Sequence, residues 1–143
     1  EVFDLGMANM IRYLIKKDLL QEPYYVNLIL GNIASAQADL LPIGVLLNDL
    51  PEDSVVSIGA VGNDQLKANA LAIALGYGVR VGLEDNYWYD QERTVLATNM
   101  SLLKRIHTLI DAHQHTLMTS SECRVKLSLN PGHGHYGCDP KQG

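Results

Sequence analysis

The chain reads as an α/β protein built on a parallel sheet, and three observations carry that reading. Four short runs rich in aliphatic and aromatic residues, at positions 1–4, 24–30, 55–61 and 79–83, alternate with four longer stretches of helical periodicity. The two middle runs are apolar nearly throughout instead of at every second residue, which is the pattern of strands covered on both faces. Each run also closes on turn-forming or acidic residues: Asp4-Leu-Gly6, Gly31-Asn32, Gly62-Asn63-Asp64 and Glu84-Asp85-Asn86. Alternating strands and helices with buried strands place consecutive strands parallel. Four such units amount to half of an eightfold (β/α)8 barrel, with a four-stranded open sheet as the alternative.

Glu1-Val-Phe-Asp4 is the tail of the first strand, with Asp4 at its carboxyl end. It opens without an initiator methionine and already inside a strand pattern, so the start reads as a cut within a longer protein. Met7, Met10, Ile11, Leu14, Ile15 and Leu19 recur at helical spacing and predict a helix over 7–20, ended by Gln21-Glu-Pro23. Tyr24 to Leu30 is the second strand, and its one polar residue, Asn27, is expected to be a hydrogen-bonded core amide. A helical stretch over 35–50 follows, with Pro42 and Gly44 dividing it. The third strand, Val55 to Val61, leads through Gly62 to a helix over 64–75 that Asn63 is placed to cap. After the fourth strand, Val79 to Leu83, a long helix is expected over 91–113, burying Leu96, Met100, Leu103, Ile106, Leu109 and Ile110. Thr119-Ser-Ser-Glu122 has the form of a capping box for a last short helix carrying Val125, Leu127 and Leu129.

The 143 residues suffice for one domain with a real core. A net charge of −5 leaves no basic surface, which argues against nucleic acid or an anionic membrane as partner. Polar residues interrupt every apolar run before it reaches the length of a membrane span. Two cysteines, Cys123 and Cys138, are too few for a disulfide framework, so a reducing compartment, the cytoplasm, is expected.

Chemistry in such folds gathers at the carboxyl ends of strands, and the fourth strand ends in adjacent carboxylates, Glu84 and Asp85. Neighbouring side chains on an extended strand point to opposite faces, so these two share a function only where the strand is turning into a loop. Arg80, four residues before Glu84, would project to the same side as it and pair with it. Charges in such a place are retained mostly where they are paired or used, although a packing ion pair or a helix cap would also account for them. Gly59 and Gly62, at the end of the third strand, permit close backbone approach to a ligand, phosphate among them, as well as a plain turn. The tail His133-Gly-His135-Tyr-Gly-Cys138 matches no common zinc spacing, and Glu84 is the one metal-ligand candidate, needing partners from elsewhere.

Phe3-Asp-Leu-Gly6, Asn27-Leu-Ile-Leu-Gly-Asn-Ile-Ala-Ser35, Asn48-Asp-Leu-Pro51 and above all Arg80-Val-Gly-Leu-Glu-Asp-Asn86 resemble the β-keto acid cleavage enzymes. The likeness runs on through Pro131-Gly-His-Gly-His-Tyr-Gly137. It implies a zinc-dependent TIM barrel of which residues 1–143 form the C-terminal half, strands 5 to 8 and their helices, with a tail from about residue 130. The implied reaction joins a β-keto acid and acetyl-CoA to give acetoacetate and a new acyl-CoA. The wording is nearest to the branch acting on 3-keto-5-aminohexanoate in lysine fermentation, which yields 3-aminobutanoyl-CoA. Leu41-Pro-Ile-Gly44 and Val55-Val-Ser-Ile58 depart from that wording and leave the keto acid open.

Carried over, Glu84 is the carboxylate zinc ligand, Asp85 the catalytic base and Arg80 its electrostatic partner. The coenzyme A phosphates would lie by Gly59 and Gly62. The family's His-x-His zinc pair belongs to the second strand and is absent here; His133 and His135 share its spacing but not its place. Glu1 lies near a family glutamate that contacts substrate. A homo-oligomer is implied as well. The competing readings are another metal-dependent barrel lyase of aldolase type and an inactive fragment.

Overall fold

The structure, a computed structural model, describes residues 1–130. Its elements run α1 (Leu5–Lys16), β1 (Tyr25–Leu30), α2 (Leu40–Asp49), β2 (Val55–Ala60), α3 (Asp64–Ala74), β3 (Gly78–Val79), α4 (Asn99–Ala112) and α5 (Ser120–Lys126). The sheet order is β1-β2-β3, and both pairings are parallel. Val2 adds a parallel bridge to Leu28 on the other side of β1, the remnant of the expected opening strand. This is the α/β architecture with a parallel sheet that the sequence predicts.

β1 and β2 pair from Tyr25↔Val55 through Leu30↔Ala60. Side chains alternate along such strands, so Val26, Leu28, Leu30, Val56, Ile58 and Ala60 share one face. Those six pack with Ala8, Ile43, Leu46, Ala68 and Ala72 of the helices to form the core. A fully buried leucine such as Leu28 contributes about 1.5–3 kcal/mol by leaving water. α1 and α3 contribute alanines, which let those helices sit close to the sheet, and α2 contributes Ile43 and Leu46.

The opposite face carries Glu1, Tyr25, Asn27, Ser57, Gly59 and Arg80. Asn27 is hydrogen-bonded as expected: its Oδ1 accepts from the hydroxyls of Ser57 and Tyr25. Three strand spacings of about 4.8 Å would separate Glu1 from Arg80 in a flat sheet. Their long side chains reach across the intervening strands and meet at 3.2 Å.

Several boundaries differ from expectation for local reasons. α1 stops at Lys16 because Asp18 takes a left-handed conformation, φ 55°, with its N–H on the Ile15 carbonyl and that of Leu19 on Leu14. Glycine usually holds that position, and Asp18 gave no such signal. α2 starts at Leu40, which puts Pro42 in the first turn, where a missing N–H leaves nothing unsatisfied. Pro42 therefore does not divide the helix. α4 starts at Asn99, not at 91: the Asp90 carboxylate accepts from the amides of Thr94 and Val95, and Trp88 bridges Leu96. Thr98 and Ser101 then form a capping box. Leu96, Met100 and Leu103 lie exposed, and Leu102, Ile106 and Ile110 make the buried stripe. The Thr119 and Glu122 capping box forms as expected, although Val125 and Leu129 of that segment face solvent. His133, His135 and Cys138 lie outside the described residues. Among the described residues no helix is long and apolar enough to cross a membrane.

Candidate active site

The fourth strand was expected over 79–83, but its pairing with β2 ends at Ile58↔Val79, followed by one more bond from the Arg80 amide to the Ile58 carbonyl. Beyond it the chain turns. The Gly82 carbonyl accepts from the amides of Asp85 and Asn86, a tight turn that swings both acids back toward Arg80. Glu84 thus meets Arg80 through a turn, not through strand alternation.

One guanidinium collects three carboxylates. Arg80 Nε donates to Asp85 Oδ2 at 2.9 Å and Nη2 donates to Asp85 Oδ1 at 3.2 Å, a two-bond fork of the geometry that arginine favours with carboxylate. Nη2 also donates to Glu84 Oε2 at 3.1 Å, and Nη1 to Glu1 Oε1 at 3.2 Å. These contacts raise the Arg80 pKa further, chiefly through the hydrogen bond to Asp85, against the opposing effect of burial. The guanidinium remains a fixed positive charge.

The two acids sit in different surroundings. The Asp85 side chain is 7% exposed and the Glu84 side chain 85%. Asp85 is therefore enclosed with both oxygens on Arg80, and Glu84 reaches into open space. Three carboxylates around one guanidinium leave the cluster net negative, a setting that attracts a cation. Glu84 suits a carboxylate metal ligand, but among the described residues no group of three or more His, Cys, Asp or Glu is gathered to hold a metal. A complete zinc set would need ligands beyond those residues.

Side chains that the sequence reading did not single out hold this turn. Asn69 of α3 donates through Nδ2 to the carbonyls of Ile58 (3.2 Å) and Arg80 (2.9 Å), and Gln65 through Nε2 to the Gly82 carbonyl (3.0 Å). The Leu83 amide donates to Asn99 Oδ1, and the Gly62 amide to the Asp85 carbonyl at 2.8 Å. Asn86, 8% exposed, folds its amide onto the backbone of Trp88. The available signal was an unbroken polar pair, Gln65 and Asn69, on the side of a helix that should face the sheet.

The glycines divide. A Cβ on Gly59 would stand 3.0 Å from both the Cβ and the carbonyl oxygen of Arg80, so Gly59 makes room for that arginine. Gly62 adopts φ +61°, a turn conformation that glycine takes without strain. Asn63 follows it at the start of α3, but its side chain does not cap the helix. Its Nδ2 donates to the Gln91 carbonyl and its Oδ1 accepts from Arg93 Nε, so the 88–96 excursion is tied over the end of β2. Beyond Asn86 comes an aromatic run, Tyr87-Trp-Tyr89, of which Tyr89 packs under the Arg105 guanidinium, 4.5 Å from its ring centre. Tyr89 thus lines the seam with α4.

Residues 1–129 match the profile of the family described as beta-keto acid cleavage enzyme. A 3-keto-5-aminohexanoate cleavage enzyme of Fusobacterium nucleatum is 38% identical over 132 residues, covering 90% of this chain and 46% of that protein. A protein of the same name from Acetoanaerobium sticklandii is 31% identical, covering 91% and 47%. A 3-dehydrocarnitine:acetyl-CoA trimethylamine transferase of Rhizobium meliloti is 29% identical, covering 90% and 42%. The chain thus spans about half the length of the curated relatives it matches. The match embraces the whole turn on which Arg80, Glu84 and Asp85 converge: the chain belongs to the β-keto acid cleavage enzyme family.

Proposed function

We propose that this chain is the C-terminal half, strands 5 to 8, of a zinc-dependent (β/α)8 barrel that exchanges acyl groups between a β-keto acid and acetyl-CoA. The observation that carries the reading is the convergence of Asp85 and Glu84 on Arg80 where β3 turns away from the sheet, in a chain of this family. The parallel sheet alternating with helices and a length about half that of the relatives support the half-barrel reading. The favoured keto acid is 3-keto-5-aminohexanoate, with acetoacetate and 3-aminobutanoyl-CoA as products; two relatives carry that substrate in their names. A small-molecule enzyme of the cytoplasm, assembled as a homo-oligomer, completes the reading.

Asp85 is the catalytic base. It takes a proton from the carbon between the keto and carboxylate groups, and the resulting carbanion adds to the thioester carbonyl of acetyl-CoA. The coenzyme A thiolate leaves that adduct and adds to the original keto carbon. The bond between that carbon and the former carbanion then breaks, releasing the acyl-CoA, and the acetoacetate carbanion recovers the proton from Asp85. Arg80 holds Asp85 by two bonds and offsets charge developing beside it. Glu84 would serve as the carboxylate zinc ligand, its exposed side chain reaching toward histidines contributed by the other half. Zinc bound there would supply Lewis-acid polarisation of the keto group. Glu1, on the same guanidinium, would serve as the glutamate that contacts substrate, balancing its ammonium group.

The coenzyme A phosphates are assigned to the loop after β2, at Gly62 and the first turn of α3, beside Gly59. An unchanged acetyl-CoA KM in a Gly62→Val variant would remove the loop from that role. The reading as a whole is tested by assaying acetoacetate formation in the complete protein with and without acetyl-CoA. Dependence on acetyl-CoA is expected, and formation without it would indicate an aldolase-type lyase instead. Asp85→Asn should lower kcat by about 10²–10⁴-fold with zinc still bound. Retained turnover would take Asp85 out of the base role.

A further inference from the structure

Gln65 and Asn69 lie one helical turn apart on the buried face of α3, at 0% and 1% exposure, among the alanines that otherwise cover the sheet. Buried amides in an apolar seam persist where they satisfy a partner that nothing else reaches. Their partners are the carbonyls of Arg80 and Gly82, beyond the last β2–β3 pair, and that of Ile58, the last paired residue of β2, which also accepts the Arg80 amide. Arg80 is thereby held from two sides. Its backbone is bonded to Asn69, and its side chain lies across Gly59, whose Cβ position is already within 3.0 Å of it. Gln65 fixes Gly82, and the Gly82 carbonyl is also the acceptor that closes the turn presenting Glu84 and Asp85.

We propose that Gln65 and Asn69 are positioning residues: two side-chain amides of α3 that replace the missing ladder and fix the Arg80 fork against the Glu84–Asp85 turn. The proposal rests on the reading of Asp85 and Arg80 given above. Neither amide touches the reacting groups, so each acts through the backbone it holds. A shift of the order of 1 Å in such a constellation costs about 10²-fold in rate.

The test uses the complete enzyme, following acetoacetate release from 3-keto-5-aminohexanoate and acetyl-CoA. Asn69→Leu keeps nearly the same volume and removes both donated bonds. It should lower kcat about 10²-fold while leaving both KM values nearly unchanged. Gln65→Glu keeps the length, but its carboxyl group donates to the Gly82 carbonyl only when protonated. Its kcat, as a ratio to the unmodified enzyme at the same pH, should therefore rise as pH falls, whereas the ratio for Gln65→Leu stays flat. A merely structural amide would lower the melting temperature without giving that pH-dependent ratio. Should Asn69→Leu fail to fold, the Gln65 pair decides alone. A folded Asn69→Leu with unaltered kcat, or flat ratios for both Gln65 variants, overturns the proposal while an inactive Asp85→Asn leaves the reading of the site standing. Retained turnover in Asp85→Asn overturns both.

Discussion

β1 and β2 are joined by six residue pairs and a wholly apolar helix-facing side; β2 and β3 share two pairs and are joined beyond them by amide side chains from α3. A ladder satisfies backbone groups by keeping strands aligned, so wherever it continues the chain is committed to running straight. Where it stops at Val79, the unpaired carbonyls need other donors, and the chain becomes free to turn. The turn is what brings two adjacent acids onto one guanidinium, which strand geometry forbids. In this molecule the stable pairing and the reactive constellation are neighbours on one sheet with opposite requirements.

That contrast can be broken by mutation on either side. The largest stability effect is expected from Leu28→Ala, which empties a fully buried position between β2, the Val2 stub and the helices. It should cost about 2–5 kcal/mol in urea unfolding of the complete protein, with the turnover of the folded fraction intact. A fall in turnover per folded molecule would mean that the core strands and the site are one unit. A smaller cost is expected from Gly59→Ala, because the added methyl group meets backbone and Cβ of Arg80 at 3.0 Å, neither of which can swing aside. About 1–3 kcal/mol of stability should be lost. Here kcat per folded molecule should fall as well, since relief comes by moving Arg80. Unaltered kcat would show that Gly59 governs packing alone.

The sheet and its core were legible because they obey repeating rules: apolar runs of strand length, helical periodicity between them, acids and glycines at strand ends. Asn27 was readable as a hydrogen-bonded amide, although it lies half-buried on the polar face and not in the core, and Thr119 with Glu122 was readable as a helix start. Arg80, Glu84 and Asp85 stood out because charge beside a buried strand is costly. What escaped was set by contacts distant in sequence. Nothing near Gln65 or Asn69 announces that they bond to carbonyls more than ten residues away. Likewise the expected helix start at 91 gave way to a turn organised by the Asp90 carboxylate, a competitor to helix for the same amides. Gly59 looked suited to close approach by a ligand, and its accommodation of a side chain from the next strand gave no local signal.

The smallest effect concerns that turn and offers the finest test of whether the two regions are separate. Asp90 has its pKa lowered from the usual 3.8, chiefly by the hydroxyl of Thr94 and next by the amide of Val95. A carboxylate whose folded value lies below its unfolded one contributes stability that is complete above the unfolded value and is lost as pH falls through the folded value. The turn between Trp88 and Leu96 should therefore loosen below pH 3.8. Trp88 is the only tryptophan of the chain, so its fluorescence reports on this turn directly. In the unmodified chain of residues 1–143 the signal should step below that pH before the far-ultraviolet circular dichroism of the sheet and helices changes. Asp90→Asn keeps an acceptor but cannot titrate, so the early step should disappear while the later one remains. Were fluorescence and circular dichroism to move together in both proteins, the excursion latched on Asn63 would melt only with the core. The boundary drawn here at Val79 would then mark a change of hydrogen-bond donors and not a change in stability.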